Sequence, residues 1–231
     1  ATSGSVNQTA AVTVAQAAAS VSLAPTSLSF TSFGDTTTLV PTVKDANNNT
    51  IGGATVTWAT SSASVATVSS AGLVTSVADG TATVTATSGS LNATSAVTVA
   101  QVLSSIELSP ASLSFASIAD TATMTTTVKD AGGTVIPDAP VTWASTTPSV
   151  ATVSSTGLVT SVADGTTTII ALSESANATA TVTVAQVAST LEVSPSTSTL
   201  DFVGDTATLS ATVKDAGGTA IPGATVTWSS S

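Results

Sequence analysis

Apolar residues alternate with small polar ones over short stretches of this chain, and turn-forming residues punctuate them. Side chains of a strand point to opposite faces in turn, so a period of two marks a strand with one face buried and one wet. Val21 and Leu23 start the pattern, Leu28 and Phe30 follow Pro25, and a longer alternating stretch runs from Thr36 to Val43. The polar run Lys44-Asp45-Ala46-Asn47-Asn48-Asn49 reads as a loop leading to a strand that carries Val56 and Trp58. Val65 and Val68, then Leu73 to Val77 after Gly72, Thr81 to Thr87 after Asp79-Gly80, and Ala96 to Ala100 follow. That makes roughly seven or eight short strands, the count of a two-sheet sandwich. Pro41 lacks the N–H a ladder needs, which places its stretch near a sheet edge or bulge.

The pattern repeats with a period of 85 residues: Trp58, Trp143 and Trp228 keep that spacing, as do Lys44, Lys129 and Lys214, and Gln16, Gln101 and Gln186. The stretch from Ser64 to Thr81 returns from Ser149 to Thr166 with one change, Ala71 to Thr156. Such self-similarity marks a tandem array. With boundaries after each Val-Thr-Val-Ala-Gln, residues 17 to 101 and 102 to 186 are two complete repeats. Residues 1 to 16 match the last strand of a preceding repeat, and 187 to 231 match the first half of a further one. The expectation is an excerpt from a longer array rather than strand exchange between molecules, because joining the two end pieces leaves out the Ser-Val-Ala-Thr-Val and Gly-Leu-Val-Thr strands. The single tryptophan of each repeat reads as core packing, and Trp143→Ala is expected to cost roughly 3 to 5 kcal/mol.

Composition agrees with strands and narrows the function. Ser, Thr, Val and Ala dominate, and only 7% of residues are charged. Three lysines and no arginine against 13 acidic residues give a net charge of −10, which offers no footprint for nucleic acid. No apolar run approaches a membrane span, and the absence of cysteine leaves each domain to its core. No export signal is visible at the amino terminus.

The segments Trp58 to Ser61, Ser64 to Ser69 and Gly72 to Thr87 resemble the bacterial immunoglobulin-like domain family, group 2. The resemblance spans both complete repeats, and the last piece adds Val-Lys-Asp-Ala-Gly-Gly and Val-Thr-Trp. It implies an all-β chain of tandem immunoglobulin-like β-sandwich domains, located extracellularly on bacterial or phage surface proteins such as intimin-like and invasin-like adhesins. It implies no catalytic residues, and no cofactor is expected apart from a candidate calcium.

Candidate chemistry is sparse. Without histidine, imidazole base catalysis is excluded despite abundant serine. A Ser-Lys dyad or a Lys isopeptide link through Lys44, Lys129 or Lys214 needs a buried amine, whereas each lysine precedes Asp and a turn. Asp35, Asp45 and Asp79, with Asp120, Asp130 and Asp164 in the next repeat, are candidate calcium ligands at domain ends, although calcium wants six to eight oxygens and no dense acidic motif exists, so turn capping competes. Asn7, Asn48, Asn92 and Asn177 each begin an Asn-x-Thr triplet, a glycosylation acceptor where the machinery exists.

The leading expectation is a non-enzymatic stalk, spacer or fibre module whose partners are neighbouring repeats. A carbohydrate- or receptor-binding module is the alternative, weakened by the lack of tyrosine and of spare tryptophans for a glycan platform. A third possibility is an accessory array of a secreted enzyme, and a glycan or host receptor could also be met by modules elsewhere.

Overall fold

A computed structural model describes residues 1–12 and 15–230. Twenty-two strands and no helix form among the described residues. At the amino terminus β1 (Thr2–Ser3) and β2 (Val6–Asn7) pair as a small hairpin.

The first repeat contributes β3 (Ser20–Ala24), β4 (Ser27–Phe30), β5 (Thr36–Thr38), β6 (Val40–Lys44), β7 (Thr57–Thr60), β8 (Ala66–Val68), β9 (Leu73–Ser76), β10 (Gly80–Ser88) and β11 (Leu91–Val99). One sheet has the order β4-β11-β10-β7, with β4 parallel to β11 and the other pairs antiparallel. Opposite it lie the pair β3-β6 and the triplet β5-β9-β8. The stretch expected as one strand from Thr36 to Val43 is therefore two. Leu39 is the break: it is 1% exposed, its N–H donates to the carbonyl of Gly72, and the chain changes partner from β9 to β3 across it. Pro41 sits in β6, opposite Leu23, in a ladder of two strands where its missing N–H leaves no interior partner unpaired, as expected of an edge.

The second repeat builds the same arrangement from β12 (Leu103–Ser109), β13 (Ser112–Phe115), β14 (Thr121–Thr123), β15 (Thr125–Asp130), β16 (Thr142–Ser145), β17 (Ala151–Val153), β18 (Leu158–Ser161), β19 (Gly165–Ser173) and β20 (Ala176–Val184). The last piece pairs β21 (Thr190–Ser194) with β22 (Ser210–Lys214). There the counterparts of core residues lie open: Leu191 is 56% exposed, whereas Ile106, its equivalent 85 residues earlier, is 8% exposed.

Alternation along the long strands produces the core. In β10, Ala82, Val84 and Ala86 are buried while Thr81 and Thr83 face water, and in β11 Val97 and Val99 turn inward to meet them. Leu39 and Val74 close the first core from the facing layer, and Met124 and Val159 fill the corresponding places in the second, where Ile169 of β19 takes the place of Val84. The tryptophans flank these cores, as Trp58 and Trp143 are half-buried and each packs over a glycine, Gly72 or Gly157. The tryptophan therefore is a packing residue, but on the flank of the core rather than at its centre.

The fold divides into two compact units. One comprises Ala1–Val102 with Asp130–Thr134, and the other Leu103–Lys129 with Val135–Ser231.

Candidate functional site

Each compact unit contains one buried and densely bonded carboxylate, and the two are equivalent. In the first unit it is Asp130, at the head of the turn Asp130-Ala131-Gly132-Gly133-Thr134. Asp favours this place because its carboxylate can accept the amides of its own turn. Its Oδ1 accepts the Thr134 N–H at 2.8 Å, and its Oδ2 accepts the Gln101 side-chain amide at 2.9 Å and the Phe33 N–H at 3.4 Å. The Gly132 N–H donates to Ser32 Oγ at 3.0 Å. Asp130 is 2% exposed.

In the second unit Asp215 does the same. Oδ1 accepts Thr219 N–H at 2.8 Å, and Oδ2 accepts Gln186 Nε2 at 2.8 Å and Ile118 N–H at 3.1 Å. Asp215 is 1% exposed. A buried carboxylate without partners would take up a proton, but donors that bond the charged form reverse that tendency. Burial is the largest influence on Asp130 and opposes ionisation, yet the donors led by Gln101 together outweigh it and lower its pKa below the usual carboxylate value. For Asp215 the Gln186 amide is the largest influence, ahead of burial, and the pKa is again lowered.

The receiving segment is fixed from its other side. Ser76 Oγ donates to the Ser32 carbonyl at 2.8 Å, and Ser161 Oγ donates to the Ser117 carbonyl at the same distance. The linker joining β11 to β12 is tied as well: Ala100 N–H donates to Phe30 O, Gln101 N–H to Asp79 Oδ1 at 2.7 Å, and Val102 N–H to Thr31 O. After β20 the pattern recurs with Ala185 to Phe115, Gln186 to Asp164 Oδ1 at 2.8 Å, and Val187 to Ala116.

The first repeat carries a third version of the turn with a different finish. Asp45 Oδ2 accepts Gln16 Nε2 at 3.2 Å, keeping the Gln–Asp pairing. Its remaining bonds come from its own loop: Oδ1 accepts the N–H groups of Asn47 and Asn49, both at 2.9 Å, and Oδ2 accepts the Asn49 side chain at 3.3 Å. These donors, led by the Asn49 backbone, lower the Asp45 pKa as well.

The candidate residues fall into place around this framework. Asp79 and Asp164 each hold a linker amide, while the backbone carbonyls of Asp35 and Asp120 accept from Ser76 and Ser161. No three acidic side chains converge on a metal-sized position among the described residues. Asn7, Asn48, Asn92 and Asn177 are all exposed, and Asn92 and Asn177 lie just past the tips of the long hairpins. Lys129 pairs with Glu107 and Lys214 with Glu192, both at 2.7 Å on the surface, and Lys44 donates to Asn48 Oδ1. None of the three is a buried amine set against a carboxylate.

Sequence reading offered Asp130 as a calcium ligand or turn cap and did not single out Asp215; it missed the bonds they make, because their partners Phe33 and Ile118 lie 97 residues earlier. The available signal was the constant offset of 29 between Gln and Asp in Gln101–Asp130 and Gln186–Asp215.

Two facing layers per repeat, a parallel first pairing and a linker bound into the sheet ends define a tandem immunoglobulin-like β-sandwich protein. The pattern of the bacterial Ig-like domain (group 2) family matches residues 17–99 and 103–184, and the chain belongs to that family. Among solved structures it is similar to the S-layer protein rSbsC(31-844), with 25% identity over 80% of this chain and 27% of that one and a TM-score of 0.39. It is also similar to the Escherichia coli adhesin FdeC, 24% identical over 91% of this chain and 79% of that one, TM-score 0.40. For the Yersinia pseudotuberculosis adhesin InvE the values are 21%, 71%, 58% and 0.29. The chain thus spans about a quarter of the S-layer chain. No curated protein sequence matches it.

Proposed function

We propose that this chain is a structural module, a stalk, spacer or fibre segment, of an extracellular bacterial or phage surface protein. The observation that carries the proposal is the bonding of the linkers. A flexible linker leaves its amides to water. Here all three amides of Ala100-Gln101-Val102, and all three of Ala185-Gln186-Val187, are bonded to groups of the preceding sandwich, and the Asp turns are bonded beside them. That suits a part whose task is to transmit position and load. Family membership supports the same assignment. So does the side-chain inventory, which has neither histidine nor cysteine and keeps Lys129 and Lys214 in surface ion pairs.

Two measurements on the full chain test it. Pulled from its ends, each complete repeat is expected to unfold as a separate event releasing on the order of 300 Å of chain, 85 residues at about 3.6 Å each. Glycan arrays and host-cell surfaces are expected to show no saturable binding. Saturable binding by the chain alone would replace the spacer with a recognition module.

A further inference from the structure

Gly132 and Gly217 occupy the third position of the Asp130 and Asp215 turns, and neither has a positive φ. Their backbone conformation is open to any residue, so conformational freedom does not explain the glycine. Proximity does. A Cβ on Gly132 would stand 3.1 Å from Ser32 Cβ and 3.5 Å from Ser32 Oγ. One on Gly217 would stand 3.3 Å from the Ile118 carbonyl oxygen and 3.5 Å from Ser117 Cβ. Their neighbours Gly133 and Gly218 show the opposite situation: both have φ +83 and nothing within 4 Å of an added Cβ.

The Asp45 turn supplies the contrast. It has the same length, since the bridge Lys44–Thr50 corresponds to Lys129–Val135. Asn47 stands at the position of Gly132, and Asn48, with φ 65, at that of Gly133. Asparagine visits the left-handed region more readily than most residues, so Asn48 is an ordinary replacement there. Asn47 is the informative one. Its N–H bonds its own Asp45 at 2.9 Å, whereas the Gly132 N–H reaches Ser32 Oγ at 3.0 Å in addition to bonding its own Asp130.

We propose that this third turn position determines which repeat can dock. Glycine opens the turn to a preceding repeat that presents the Ser32-type serine and the following amide, while a side chain at this position crowds that serine. The partner of these turns is a copy of the repeat itself, selected by size at one position. This rests on the structural-module proposal above.

The test is amide hydrogen exchange in the full chain, residue by residue. Gly132→Asn is expected to raise the Phe33 exchange rate at least tenfold while amides of β10 and β19 keep theirs. Gly133→Asn, which copies Asn48, is expected to leave Phe33 unchanged. Gly132→Ala gives a smaller increase than Gly132→Asn, and adding Ser32→Gly returns Phe33 toward its original rate. An unchanged Phe33 in Gly132→Asn, equal effects of the two Asn variants, or no rescue by Ser32→Gly overturns the proposal. Exchange at Phe33 is independent of any glycan or receptor binding, so its outcome is separate from that of the spacer test.

Discussion

Gly157→Ala is the substitution through which the packing of the second repeat is best examined. Gly157 has φ +81, and a methyl there would lie 2.4 Å from the Met124 carbonyl oxygen, 2.9 Å from Trp143 Cζ2 and 3.3 Å from Trp143 Cη2. The backbone has little room to retreat, because Gly157 donates to Ser154 O while its own carbonyl accepts the Met124 N–H at 2.9 Å. The left-handed conformation costs a side-chain-bearing residue about 1–2 kcal/mol, and overpacking a closed site adds about 1–3 kcal/mol. The sum is about 2–5 kcal/mol. Gly133→Ala separates the two contributions, since its φ is +83 and nothing lies within 4 Å of the added methyl. It should show the conformational part alone, about 1–2 kcal/mol. The assay is urea unfolding read by hydrogen exchange and mass spectrometry, comparing peptides from β18 to β20 with those from β9 to β11. The first group should shift to lower urea in Gly157→Ala while the second stays. If Gly157→Ala costs no more than Gly133→Ala, the contact with Met124 and Trp143 is not a constraint and the reasoning fails.

Other expectations follow from the same contacts. Ser95 is fully buried and its hydroxyl has no partner, whereas the second repeat has Ala180 at the equivalent position, so Ser95→Ala should raise stability by up to about 1 kcal/mol in urea unfolding. Trp143→Ala should cost about 2–4 kcal/mol, less than a fully enclosed tryptophan, since its ring is half-buried on the core's flank; the same exchange assay reads it. The Asp130 and Asp215 carboxylates titrate below their ordinary value, so their contribution is complete above about pH 4 and disappears as pH falls through the lowered pKa. Carbon-13 titration of the aspartate carboxyls checks this, and a midpoint at or above the ordinary value for Asp215 would contradict the bonding described.

The elements were legible because their cause is local. Val84 and Ala86 turn inward and Thr81 and Thr83 outward whatever the rest of the chain does, and Gly72 and Gly80 mark strand starts through their own backbone preferences. The division at Leu39 was hidden for the complementary reason. Thr36 to Val43 continues as one extended stretch in sequence, and only the identity of the partner strand, β9 before the break and β3 after it, makes it two. Asp79 and Asp164 were half legible: the turn is local, but the linker amide each accepts comes from 22 residues further on.

The docking turn lies at the far end of this scale. Asp130 reads as an ordinary turn aspartate until its partners are known, and Gly132-Gly133 reads as an ordinary flexible pair. The two glycines are nevertheless there for different physical reasons. Gly133 answers to its own φ, a constraint within one residue, and asparagine at position 48 satisfies the same constraint. Gly132 answers to Ser32, 100 residues earlier, and its backbone asks nothing special of it. A repeat array exposes this difference without any alignment of other proteins, because each repeat is an internal control for the next. A position that changes from glycine to asparagine with φ still positive reports conformation. One that changes with no demand on φ, and whose glycine form abuts a neighbouring repeat, reports that neighbour.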